Sequence, residues 1–159
     1  MVAPTPTARV SPHTNDIPLF DGHSSTITLG LNPDIAFFEK TVTPPGLEGG
    51  DPIDTTTMHN TTWRTKAPRA LKDLEPITTT AAYDPILYDE ILEAINRRDT
   101  ITVTFSDGST LCFYGFVQNF KPNELQEGEM PDASITIVPT NQDTAGVEEG
   151  PVLAEASGT

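Results

Sequence analysis

The chain predicts an α+β fold that is mainly β: two packed antiparallel sheets, sandwich-like or barrel-like, with one flanking α-helix. Three patterns carry this reading. Short segments rich in Ile, Val, Thr and Phe alternate apolar and polar residues along the 159-residue sequence. One segment only has helical spacing, and it opens with Asp84-Pro85. Asp107-Gly108 joins two alternating segments, as a tight β-hairpin requires.

Ser25 to Leu31 reads STITLGL, with Ile27, Leu29 and Leu31 on one face, a half-buried strand. Asn32-Pro33-Asp34 is turn chemistry and predicts a hairpin into a second strand over 35–43. Pro44-Pro45-Gly46 stops that strand, and a long loop, 44–73, follows. Residues 74–83 resume strand character, with Pro76 confined to an edge or a strand start because it lacks a ladder donor. Asp84 can cap the helix, and a proline at the first helical position loses nothing. Leu87, Ile91 and Ile95 recur at spacing four and predict the buried stripe, with Arg97 and Arg98 near the final carbonyls.

Thr100 to Phe105 alternates strictly, placing Ile101, Val103 and Phe105 inward and the threonines outward. The returning strand, 111–120, is apolar on both faces. Leu111, Phe113 and Val117 lie on one, and Cys112, Tyr114, Phe116 and Phe120 on the other. Such a strand belongs between two layers or at a subunit contact. Residues 121–130 form an acidic loop, and 134–138 a last strand. The domain is therefore expected over 24–139, between an N-terminal arm (1–23) and an acidic C-terminal tail (140–159) without a core of their own.

Formal net charge is −14, from 23 acids against 9 bases. That balance disfavours a duplex-DNA-binding surface, which needs cations to displace counterions from phosphate. Cys112 is the only cysteine, so no intrachain disulfide framework exists. The first residues lack a signal-peptide pattern, and no apolar run is long enough for a membrane helix. A soluble cytoplasmic product is expected.

Catalytic chemistry finds no constellation. His13, His23 and His59 have no metal-ligand spacing, and one cysteine does not complete a zinc site. Asp51 and Asp54 lack the order of a calcium loop. Gly46, Gly49 and Gly50 lack the lysine of a phosphate loop, and Glu48 and Asp51 would repel phosphate. Asp89, Glu90 and Glu93 read as a solvated helix side. The expectation is a non-enzyme without cofactor or metal.

The loop 44–73 is the part with functional character, since a long composed connection in a small domain is seldom idle. Gly49, Gly50, Asp51, Asp54, Met58, Trp63, Arg64, Lys66 and Arg69 are its candidate contact residues. Trp63 is the chain's only tryptophan and suits an interface anchor. Arg64, Lys66, Arg69 and Lys72 form the one basic patch, with no acid from Thr55 to Lys72. Glu124, Glu127, Glu129 and Asp132 are the complementary acidic candidates. A contact between two different patches of one chain closes into rings or propagates as a filament.

The run GLEGGDPIDTTTMHNTTWRTKAPRALKDL, followed by a strand, the Asp-Pro helix start, TITVTFSDGST, FYGFVQNFKP and ITIVPTN, resembles major tail tube proteins of long-tailed, siphovirus-type bacteriophages. The likeness covers about residues 44–141. It implies hexameric rings that stack around a tape-measure protein, capped by tail terminator and distal tail proteins. It also implies a continuous inner β-barrel through which DNA passes without specific binding. Localisation would be the virion tail, assembled in the host cytoplasm. Under that reading Glu75, Asp99, Thr100, Thr102, Thr104 and Asp107 are the lumen candidates, an uncharged threonine track between acids. The competing reading is a non-catalytic β-sandwich binding module.

Overall fold

The computed structural model describes residues 25–30, 37, 39–83 and 85–155, with the Leu87 side chain outside this set. The expected arm 1–23, the turn 32–34, the Asp84 cap and residues 156–159 lie outside the described residues. In chain order the elements are β1 (Thr26–Leu29), β2 (Glu39–Val42), β3 (Leu47–Glu48), β4 (Ile53–Asp54), β5 (Lys66–Ala67), β6 (Asp73–Leu74) and β7 (Ile77–Ala82). Then come α1 (Pro85–Ala94), β8 (Asp99–Thr104), β9 (Thr110–Pro122), β10 (Asp132–Pro139) and β11 (Val152–Ala154). The class is the expected one: mainly β with one short helix.

A seven-stranded antiparallel sheet runs in the order β1-β8-β9-β10-β7-β2, with β11 also on β9. Buried residues from the strands of that path meet in one cluster, including Ile27, Ile101, Val103, Phe113, Val117, Ile135, Ile137 and Ile77, and Val42 of β2 packs against it. The sheet therefore curls around a single core and itself supplies the layers that pack. Its two ends, β1 and β2, come side by side. Among the described residues no ladder joins these two strands, where the sequence predicts a hairpin. β1 pairs β8 and β2 pairs β7. The register puts Ile27 opposite Val103 and Leu29 opposite Ile101, so each inward residue of β1 meets an inward residue of β8.

The β8–β9 hairpin is closed at the Asp-Gly turn: the Phe105 N–H donates to the Ser109 carbonyl at 2.9 Å, and Gly108 has φ 86°. Asp107 Oδ1 accepts from the Ser109 N–H at 2.9 Å. β9 is the central strand. It pairs β8 along one edge, and β10 and β11 along different lengths of the other. Ile137 pairs with Val117 but Thr136 pairs with Asn119, so Gln118 is an extra residue. This bulge reverses the alternation. Phe120 consequently packs on the core side, not with Cys112, Tyr114 and Phe116 as the alternation predicts. Its ring lies edge-on to Tyr88 of the helix at 5.8 Å.

Among the described helix side chains Ile91, 2% exposed, is sunk in the core, and Ala94 packs against it. The helix stops earlier than Arg97. Asn96 takes φ 60°, a left-handed cap that asparagine tolerates, and its N–H donates to the Val117 carbonyl at 3.0 Å. Arg98 reaches away from the helix, and its Nη1 donates to the Asp143 carbonyl at 2.9 Å.

That last contact belongs to a segment the sequence assigns to a free tail. Residues 140–155 instead return to the sheet. Asp143 Oδ1 accepts from the Ala145 and Val147 N–H groups, closing a turn with Gly146 at φ 86°. β11 then pairs Val152 with Cys112 and Ala154 with Thr110.

Candidate assembly interface

Residues 44–74 form an extended hairpin arm, where the sequence predicts an irregular loop. Its base is the β3–β6 rung, Leu47 opposite Leu74, extended by the Glu75 N–H donating to the Gly46 carbonyl at 2.9 Å. Its middle is the β4–β5 rung, Ile53 opposite Ala67 and Asp54 opposite Lys66. Further out the Thr55 N–H donates to the Thr65 carbonyl at 3.0 Å.

The threonine run does local work there. Thr56 Oγ1 accepts from the Thr65 N–H at 3.1 Å and sits 3.3 Å from the Thr65 carbonyl, to which it donates. At the tip, Asn60 Oδ1 accepts from the Thr57 N–H at 2.7 Å. These short polar side chains replace ladder bonds that the rails lack. Gly50, at φ 72°, makes the sharp bend near the middle, and the Arg69 Nε–H donates to the Asp51 carbonyl across it at 2.7 Å. Arg69 thus braces the arm. Arg64, Lys66 and Lys72 are exposed.

Asp54 accepts from the Thr56 N–H at 2.9 Å. Hydrogen bonds from Thr56, by side chain and backbone, and then the Lys66 charge hold its carboxyl below the ordinary aspartate range.

Every residue from 47 to 66 is exposed. Met58 is fully exposed and Trp63 is 81% exposed. A two-stranded hairpin with both faces in water is marginal by itself. Leu47, Ile53 and Leu71 are its other exposed large apolar side chains, so the arm is a candidate contact surface.

The other candidates fall in separate places. Glu124, Glu127 and Glu129 are exposed in the β9–β10 connection, beside exposed Leu125 and Met130. Asp132 is engaged within the subunit. It forms an ion pair with Lys40 at 3.2 Å and accepts from Asn123 Nδ2 at 2.7 Å. These contacts, Asn123 first, lower its pKa. Thr100, Thr102 and Thr104 are half-buried on the outer face of β8. The register adds Thr28 beside Thr102, and Thr26 and Thr110 beside Thr104. Asp99 begins that strand and Asp107 sits in its hairpin turn. Glu75 belongs elsewhere, at the base of the arm.

Two features escape the sequence reading. Leu47 and Leu71 are large exposed side chains at the arm base, 76% and 80% exposed. They line a groove of about 470 Å³ whose other wall is the C-terminal segment, through Glu148 and Pro151. The Asn141 Nδ2 donating to Asp73 Oδ1 at 2.9 Å ties that wall to the arm. An Asp-x-x-Gly turn signal at Asp143–Gly146 was available in the sequence, but not its long-range partner.

Among the described residues no group of three or more His, Cys, Asp or Glu side chains is placed to hold a metal, and no helix is long and apolar enough to cross a membrane.

No family model matches the sequence. No curated protein matches it either. The fold, however, is shared with solved structures. A chain of the six-fold symmetrised baseplate of the anti-feeding prophage superposes with TM-score 0.58 at 7% identity, over 84% of this chain and 92% of that one. A chain of the native gene transfer agent virion gives TM-score 0.60 at 10% identity, over 85% and 98%. A chain of the empty gene transfer agent particle's tail, in C6 symmetry, gives 0.58 at 11% identity, over 87% and 99%. At these identities the likeness is one of fold, and it spans nearly the whole of each matched chain.

Proposed function

We propose that this chain is a structural subunit of a phage-type tail tube. Six copies form a ring, rings stack into a hollow tube, and DNA passes through the lumen during ejection. The observation that carries the reading is the shared fold with chains of tail and baseplate assemblies, over 92–99% of those chains. The C6 and six-fold symmetry of two of those assemblies supports the ring number.

The chain's own chemistry supports the same reading. The arm projects its apolar side chains from the body, and it carries four bases without an acid from Thr55 to Lys72. All 23 acids lie outside that span, four of them (Glu48, Asp51, Asp54 and Asp73) toward the base of the arm. Two unlike patches on one chain favour a heterologous contact, the kind that closes rings or extends filaments. The outer face of β1, β8 and the start of β9 offers Thr26, Thr28, Thr100, Thr102, Thr104 and Thr110, polar and uncharged. Such a face lets phosphates slide past without the counterion exchange that holds DNA to cationic surfaces. A tape-measure protein inside the tube, and terminator and distal tail proteins at its ends, are the remaining partners. The virion tail is the location.

Electron microscopy of the purified protein tests the proposal. Rings or tubes of uniform diameter are the expected result. A dispersed monomer at high concentration would favour the binding-module reading instead.

A further inference from the structure

We infer that the groove at the base of the arm is the receptor for the arm tip of a second copy of this chain. The inference rests on the tail-tube reading and adds to it a specific contact. Two exposed leucines, Leu47 and Leu71, line the groove, with Glu148 and Pro151 on the facing wall. Its volume of about 470 Å³ is in the range that accepts a bulky side chain.

The tip has the matching character. Trp63 and Met58 are its exposed apolar groups, and Arg64 and Lys66 follow Trp63 directly along the rail. The facing wall of the groove carries acids, Glu148 in the lining and Glu149 beside it, both exposed. Lys72 on the arm side of the groove is the one base there. An indole seated against Leu47 and Leu71 would carry its neighbour Arg64 into a groove whose lining includes the acids Asp73 and Glu148.

The occupant has to come from another molecule. The rungs Ile53–Ala67 and Thr55–Thr65 hold the rails in register, so tip and groove lie at opposite ends of the arm. Trp63 and Leu71 are eight residues apart along one rail, at most roughly 26 Å at about 3.3 Å per residue. A subunit is thus unable to fill its own groove with its own tip. Tip into groove is a contact between different patches, and each subunit both gives and receives one.

Crosslinking of full-length protein tests this. In a Cys112→Ser background, one preparation carries Thr62→Cys, which leaves Trp63 in place. A second carries Ala70→Cys, a mild change beside Leu71. A third carries Gln126→Cys, in the acidic β9–β10 connection. Each pair is mixed, allowed to assemble, treated with a short thiol-reactive crosslinker and imaged by electron microscopy. The expected result is a heterodimer between Thr62→Cys and Ala70→Cys, with a yield roughly tenfold above the Thr62→Cys and Gln126→Cys pair, because contact raises effective concentration. Tubes that form without the Thr62–Ala70 product, or with the Thr62–Gln126 product dominant, overturn the groove assignment and leave the tail-tube reading standing. Wild-type protein that stays monomeric, together with no Thr62–Ala70 product from the mixed variants, overturns both.

Discussion

Glu39 on β2 reaches across the seam of the curled sheet, and its Oε1 accepts the Ile27 N–H of β1 at 2.7 Å. β1 and β2 end the strand path, and this bond joins them where no ladder does. An edge strand with unpaired N–H groups invites pairing with another chain. Glu39 occupies one such group from within the subunit.

Replacing Glu39 by Ala should therefore cost about 1–3 kcal/mol, the penalty for leaving a partly buried donor unpaired. Glu39→Gln keeps an oxygen acceptor and should lose much less. Denaturant unfolding of both variants, with amide exchange read at Ile27, separates the effects. Equal losses in the two variants would assign the role to charge instead.

The helix makes a second, sharper comparison. Ile91 is 2% exposed and Leu92, its neighbour, is 63% exposed. Ile91→Ala should lower monomer stability by about 2–5 kcal/mol, from lost burial and a residual cavity. Leu92→Ala should stay within about 0.5 kcal/mol. A small effect at Ile91 in denaturant melts would mean that the helix does not seal the core in solution.

Asp132 gives the fold an acid sensitivity of known sign. Its pKa is lowered by the Asn123 and Lys40 contacts, so the folded state binds its proton less readily than the unfolded chain. The stabilisation is present above the ordinary aspartate value, and it fades as pH falls below about 4 through the lower folded value. Asp132→Asn should unfold with a shallower pH dependence in that window. A melt series from pH 7 to pH 2.5 checks it, and unchanged acid slopes would show that the ion pair is immaterial.

The parts of this fold legible in the sequence are those set by neighbours along the chain. Asp107-Gly108 marked the β8–β9 hairpin, and Ile101 and Val103 marked its buried face. Ile91 marked the helix stripe. Other features depend on partners far away in sequence. Gln118 carries no glycine or proline signal for its bulge, so alternation alone puts Phe120 on the wrong face. The arm rungs are two residues long, one apolar pair and one charged pair each, which is too short for an alternation to detect. β11 has no buried face of its own. Its pairing with Cys112 and Leu111 is a backbone relation that side-chain pattern does not encode. Trp63, Arg64 and Lys66 stand out in the sequence by type, and all three are exposed on the arm. The groove was not, because Leu47, Leu71 and Glu148 are brought together only by the returning C-terminal segment.

Trp63→Ala should separate folding from assembly. The indole is 81% exposed and lies outside the core cluster, so the monomer should keep its unfolding midpoint within about 0.5 kcal/mol. Interface aromatics commonly carry ~2 kcal/mol or more of association energy. Since every 1.4 kcal/mol is about tenfold in affinity, the concentration needed for polymerisation should rise by more than about tenfold. Sedimentation across a concentration series gives that threshold, and denaturant melts of the same samples give stability. A variant that loses stability without shifting the threshold would place Trp63 in the folded body. One that shifts the threshold alone places it at the contact between subunits.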